Sequence, residues 1–168
     1  MTTESVTHDN AASYRFDDAT EAQFQDILSR YPNLRAALLP SLFLIQEVSG
    51  YLSPASLEYI AGRLDLPAGK VLQVATFYTM FHKKPAGRHH IEVCTSVPCC
   101  MMGGYGVLRY LEDKLGIKAG EVTPDRKFSL ASAECLAGCG HAPLMQINSE
   151  YYEHLTFEAI DNILAGLD

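Results

Sequence analysis

Four cysteines set in two pairs constrain this chain more than any other feature. They run Cys94-x4-Cys99 and then, 36 positions after Cys99, Cys135-x3-Cys139. Alternation over His90 to Thr95, with Ile91 and Val93 apolar, predicts a strand leading directly into Cys94. Phe128 to Ala133 predicts a second strand that stops just before Cys135. Two loops leaving one edge of a sheet would bring four thiolates together. Thiolates are soft ligands, and four of them suit a tetrahedral zinc ion or an iron–sulfur cluster. Structural zinc commonly leaves about two to four residues between paired ligands, so the first pair is at the loose limit for zinc. A [2Fe–2S] cluster separates two irons, each with two terminal cysteines, and accepts longer loops. Spacing thus favours the cluster and leaves zinc open. The runs C-x4-C-x2-C and C-x2-C-x2-C of other ferredoxins are absent. So is C-x-x-C, which a thiol–disulfide enzyme would need. Cys139-Gly140-His141 is half of a Rieske pattern, with no second Cys and His pair downstream.

The rest of the chain divides in two. Residues 1–19 are polar and read as a mobile arm. Over 20–82 the pattern is helical and predicts a small bundle. Thr20 is the expected cap of a helix over Glu21 to Ser29, and Asn33 of the next, with Leu34, Leu38, Leu42, Ile45 and Val48 inward and a kink or break at Pro40. Ser53-Pro54 marks a third start. Pro67 opens a fourth helix, with Val71, Val74, Ala75, Tyr78 and Phe81 inward. Residues 83–90, basic and containing Pro85 and Gly87, read as a linker. Residues 91–168 are mixed α/β, in the order β-α-β-β-β-α. Here Tyr105 to Leu115 is helical, Leu144 to Ile147 turns through Asn148 and Ser149 into Glu150 to His154, and Thr156 caps a last helix with Phe157, Ile160, Ile163 and Leu164 inward. The fold class is therefore α+β. Hydrophobic residues at 48% supply a core, and a net charge of -7 argues against nucleic acid as a partner. No secretory signal opens the chain, and the longest apolar run, Ala36 to Ile45, is too short for a membrane helix. A cytoplasmic location follows, free or peripheral to a membrane through a partner. In such a reducing compartment, clustered cysteines point to metal or redox chemistry, and the odd total of five argues against a fully paired disulfide set.

CTSVPC, then CLAGCGHAPLMQIN with YYEHLT close behind, resembles the E-subunit family of bacterial NADH–quinone oxidoreductase, respiratory complex I. PSLFLIQEVSGYLSP and VATFYTMFHKKP resemble the same family upstream, so the likeness covers roughly Asp26 to Leu164. The resemblance implies a thioredoxin-like α/β ferredoxin domain after the helical bundle, with a [2Fe–2S] cluster on Cys94, Cys99, Cys135 and Cys139. It also implies a flavoprotein partner subunit that carries the FMN and the NADH site, so that this chain is part of an enzyme and holds no complete active site alone. The cluster would exchange single electrons with that FMN. It implies a cis peptide at Pro143, and a role for Cys100 in packing.

Electron transfer needs no general base. The protein's part is to tune the cluster through backbone N–H donors, expected from Thr95 to Cys99, Leu136 to Gly140 and the glycines Gly103, Gly104 and Gly106. The hydroxyls of Thr95 and Ser96 either bond a cluster sulfur or stabilise the turn. Gly103-Gly104-Tyr105-Gly106 lacks the frame of a phosphate cradle and reads as a close-packed helix start. His141 reads as a packing residue near the cysteines rather than a ligand, and the other histidines as surface residues. Two further hosts remain, an NAD-linked hydrogenase and a formate dehydrogenase. A zinc-stabilised interaction module without redox function is the alternative of another class.

Overall fold

The computed structural model describes residues 14–168. It resolves into two compact units, the first ending at Pro85 and the second spanning Ala86–Asp168. Residues 1–13 of the expected arm lie outside the described residues.

The first unit holds four helices: α1 (Asp18–Arg30), α2 (Leu38–Ser49), α3 (Pro54–Arg63) and α4 (Ala68–Phe77). Phe24, Leu42, Ile45, Ile60, Val71 and Ala75 are fully buried in its core. Ser53 caps α3 as expected, its hydroxyl accepting from the Ser56 N–H at 3.1 Å. The start of α1 differs from expectation. Asp17, not Thr20, is the cap, and its carboxylate accepts from the Thr20 N–H at 2.8 Å. An anionic cap at a helix N-terminus is favoured over a neutral hydroxyl by the helix dipole. The expected arm also ends earlier: Tyr14 is buried and bonds Ser49 Oγ at 3.0 Å, and Phe16 stacks edge-on against Tyr59. Asn33 closes a turn onto the Ala36 N–H rather than capping α2. Leu34 therefore precedes the helix and is exposed, as is Val48 in its last turn. Pro40 is the third residue of α2, inside the first turn, where no N–H has an intrahelical partner, so it fits without breaking the helix. Arg63 grips Glu21 with two nitrogens at 2.6 and 2.7 Å and lies over the Phe24 ring, tying α3 to α1.

The second unit contains β1 (His89–Cys94), α5 (Val97–Met101), α6 (Gly104–Leu115), β2 (Phe128–Ala133), β3 (Met145–Ile147), β4 (Glu150–Tyr152) and α7 (Phe157–Ala165). The sheet order is β2-β1-β3-β4. β1 and β2 run parallel, from His89 opposite Phe128 to Cys94 opposite Ala133, with α6 in the crossover. β3 lies antiparallel to β1, and β4 to β3. Ile91, Val93, Leu130, Met145 and Ile147 from the strands share one core with Val107, Leu111, Ile160 and Leu164 from the helices. Thr156 caps α7 as expected, accepting from the Ala159 N–H at 3.1 Å. Phe157, expected inward, is half exposed and stacks on Tyr110 at 4.4 Å. The expected linker ends sooner than residue 90, because Arg88 and His89 already donate to the carbonyls of Arg126 and Lys127. The five-residue helix α5 has no counterpart in the periodicity reading: it is too short to show a period, and its signal is Ser96 followed by Pro98 near the start.

Candidate metal centre

Sheet topology gathers the cysteines. Cys94 is the last residue of β1, and Cys135 follows the end of its parallel neighbour β2, so both leave the sheet at the same edge. β3 starts at that edge, with Val93 opposite Met145, and the Cys94 N–H donates to the Leu144 carbonyl at 3.2 Å. Cys99 sits in α5, and Cys139 opens a single 3-10 turn, Cys139–His141. Cys94 and Cys99 are buried against Leu144, with Leu136 and Ala142 packed around them. Cys135 and Cys139 are exposed.

The loop of the second pair is bonded to the first. The Leu136 N–H donates to Cys94 Sγ at 3.5 Å. Ala137 adopts a left-handed backbone (φ 61°), and its N–H donates to Cys135 Sγ at 3.3 Å. Ser96 Oγ lies 3.3 Å from Cys94 Sγ, whereas Thr95 Oγ1 donates to the Ala133 carbonyl at 3.0 Å. The two hydroxyls therefore divide the roles left open by the sequence: Ser96 serves a sulfur and Thr95 serves the strand end. Burial disfavours the Cys94 thiolate, but hydrogen bonds from Ser96, Leu136 and Cys99 outweigh it and lower the thiol pKa. Burial, then the hydrogen bond with Cys94, raises that of Cys99. The Ala142–Pro143 peptide is cis.

Gly104 explains the glycine stretch. A Cβ there would stand 2.9 Å from the carbonyl oxygens of both Cys94 and Cys99, so only glycine lets α6 start against the cysteine backbone. Cys100, expected to pack, is exposed instead. Adjacent helical residues point about 100° apart, and Cys99 takes the inward direction. His141, expected to pack near the cysteines, turns its ring to Glu153 and His154.

The donor set fits an iron–sulfur cluster on its chemistry. Four thiols border one sheet edge, and N–H groups already aim at two of their sulfurs, as anionic cluster ligands require. Cys94 and Cys99 are buried and Cys135 and Cys139 exposed, so a group held by all four would lie at the surface.

Comparison with known proteins agrees. The family described as thioredoxin-like [2Fe-2S] ferredoxin matches residues 24–168. The NADH-quinone oxidoreductase E-subunit of Rickettsia bellii is 44% identical over 158 residues, covering 92% of this chain and 95% of that protein. The NADH-quinone oxidoreductase E-subunit 2 of Rhizobium meliloti is 40% identical over 136 residues, covering 81% of each. A NAD+-reducing [NiFe]-hydrogenase crystal structure in the air-oxidized state aligns with a TM-score of 0.64 at 22% identity, over 80% of this chain and 22% of that one, which speaks to the fold alone. The chain belongs to the thioredoxin-like [2Fe–2S] ferredoxin family, and within it to the homologues of the NADH-quinone oxidoreductase E-subunit. The family's cofactor is a [2Fe–2S] cluster.

Proposed function

We propose that Cys94, Cys99, Cys135 and Cys139 hold one [2Fe–2S] cluster, and that the chain is the electron-transfer subunit of an NADH–quinone oxidoreductase. Its partner is the flavoprotein that binds NADH and FMN, and the cluster exchanges electrons with that FMN. The observation that carries this reading is the Leu136 N–H on Cys94 Sγ, which joins the loops of both cysteine pairs. Relatives of 40–44% identity over most of the chain favour this host over a hydrogenase or formate dehydrogenase. Among the described residues no helix is long and apolar enough to cross a membrane, which accords with a cytoplasmic subunit held at the membrane through its complex.

When bound, such a cluster takes up and releases one electron at a time. The residues of this chain do the rest. The four thiolates anchor it, and the N–H groups of Leu136 and Ala137 with the Ser96 hydroxyl stabilise negative charge on the ligand sulfurs. That favours the more negative, reduced state and raises the potential. Leu144, Leu136 and Ala142 shield Cys94 and Cys99 from water.

The test is iron, sulfide and zinc content of anaerobically purified protein, with EPR after dithionite reduction. About two irons and two sulfides per chain and a spin-half signal are expected. Serine at Cys94, Cys99, Cys135 or Cys139 should abolish or change the signal, and serine at the exposed Cys100 should not. Stoichiometric zinc with no signal, even after reconstitution with iron, overturns the proposal in favour of an interaction module. Co-purification of the chain with an FMN-containing, NADH-oxidising protein tests the partner.

A further inference from the structure

We propose that His141, Glu153 and His154 form a second metal site, separate from the cysteines and suited to a single divalent transition-metal ion such as Zn2+. One ligand atom from each of the three lies within 4.8 Å of the others. His141 Nδ1 is 3.2 Å from His154 Nε2 and 3.3 Å from Glu153 Oε2. Zinc bonds of about 2.0–2.1 Å set a tetrahedral edge of about 3.3–3.4 Å, so both separations are close to those of ligands on one ion. Hydrogen bonding alone serves this group poorly. With the proton on His141 Nδ1 two acceptors compete for it, and with it on His154 Nε2 the Glu153 carboxylate faces a lone pair, whereas a cation uses all three lone pairs at once.

The site is framed by backbone rather than by chance approach of long side chains. The hairpin of β3 and β4 returns Glu153 and His154 to the turn Cys139–His141. There the His154 N–H donates to the His141 carbonyl at 3.0 Å, and the Leu155 N–H to the Pro143 carbonyl at 3.0 Å. The His141 N–H is itself held by the Gly138 carbonyl at 2.9 Å. His154 has a left-handed backbone (φ 50°), fixed between these bonds. Such a frame sets the backbones of both histidines before any ion arrives, with Glu153 next to His154 in the chain. Two neutral nitrogens and one carboxylate oxygen select zinc-like ions over calcium and magnesium, which take oxygen ligands. The side chains of His141 and Glu153 are 55% and 42% exposed, so an ion enters directly from solvent and retains a water at the fourth position.

The experiment uses the full chain loaded with its cluster and dialysed against Zn2+. Zinc and iron are counted in the same sample, and the zinc K-edge spectrum is recorded. One zinc per chain, iron retained, and a shell of nitrogen and oxygen at about 2.0–2.1 Å are expected. His141→Ala and His154→Ala should each weaken zinc binding about tenfold or more, and Glu153→Gln should weaken it less. Retained iron shows that these variants remain folded around the cysteines. Sulfur at about 2.3 Å, iron lost as zinc enters, or histidine variants that bind as the parent does would overturn the site. A chain with no iron before zinc is added would instead count against the cluster assignment, so the two failures are separable.

Discussion

The two units of this chain bury different things. The helical unit closes its core with aliphatic and aromatic side chains, and ties distant segments together with polar contacts such as the Arg63–Glu21 clasp, Tyr14 on Ser49, and Gln46 on Met80 and His82. The α/β unit has a similar apolar core under its sheet, but at one edge it buries Cys94 and Cys99 in a cluster of their own and leaves Cys135 and Cys139 exposed. The first unit is thus held by its own side chains, through packing, hydrogen bonds and an ion-pair clasp. The cysteine edge of the second places two buried and two exposed thiols beside N–H donors, the edge proposed above to hold the cluster. Glycines mark the contrast: a Cβ at Gly104 would strike the cysteine backbone, whereas one at Gly62 in α3 meets nothing within 4 Å.

Substitutions in each unit should act on different things. Gly104→Ala should cost about 1–3 kcal/mol and reduce iron content, since the clash is with backbone that cannot yield cheaply; thermal unfolding and iron assay check it. An unchanged melting temperature and full iron content would mean that α6 is not seated on the cysteines. In the helical unit, Glu21→Gln should cost about 1 kcal/mol, a modest figure because the pair is partly exposed. The Arg63 hydrogen bonds hold the Glu21 carboxyl at about 2, below its ordinary 4.5. A lowered folded pKa means stability that is complete above about pH 4.5 and is lost as pH falls toward about 2. Acid unfolding of the parent should show this slope, and the variant should lack that part of it.

Smaller effects sharpen the contrast. Gly62→Ala should stabilise by about 0.5–1 kcal/mol, because helix interiors favour alanine and the site is open; denaturant titration reads it, and the EPR signal should not move. Ser96→Ala should leave the fold and iron content intact and lower the reduction potential, through loss of one hydrogen bond to Cys94 Sγ. An unchanged potential in a redox titration would assign Ser96 to the turn alone.

Much of this was legible before the structure. The bounds of β2, the Ser53 cap of α3, the Thr156 cap of α7 and the two cysteine loops at strand ends all followed from signals within a few residues of one another. Such signals act locally, so sequence alone determined them. The residue types and spacing of the cysteines likewise pointed to soft-metal chemistry. Tertiary structure decided what depends on distant partners. Tyr14 and Phe16 were drawn out of the expected arm by Ser49 and Tyr59, which lie far along the chain. Cys100 turned outward because α5 could bury only one of two adjacent thiols. Leu136 reached Cys94, and His141 met Glu153 and His154, only because parallel pairing of β1 with β2 and the return of the β3–β4 hairpin close loops that periodicity cannot see. Hydrophobic pattern records which face of an element is buried, and it carries no information about which far segment covers that face.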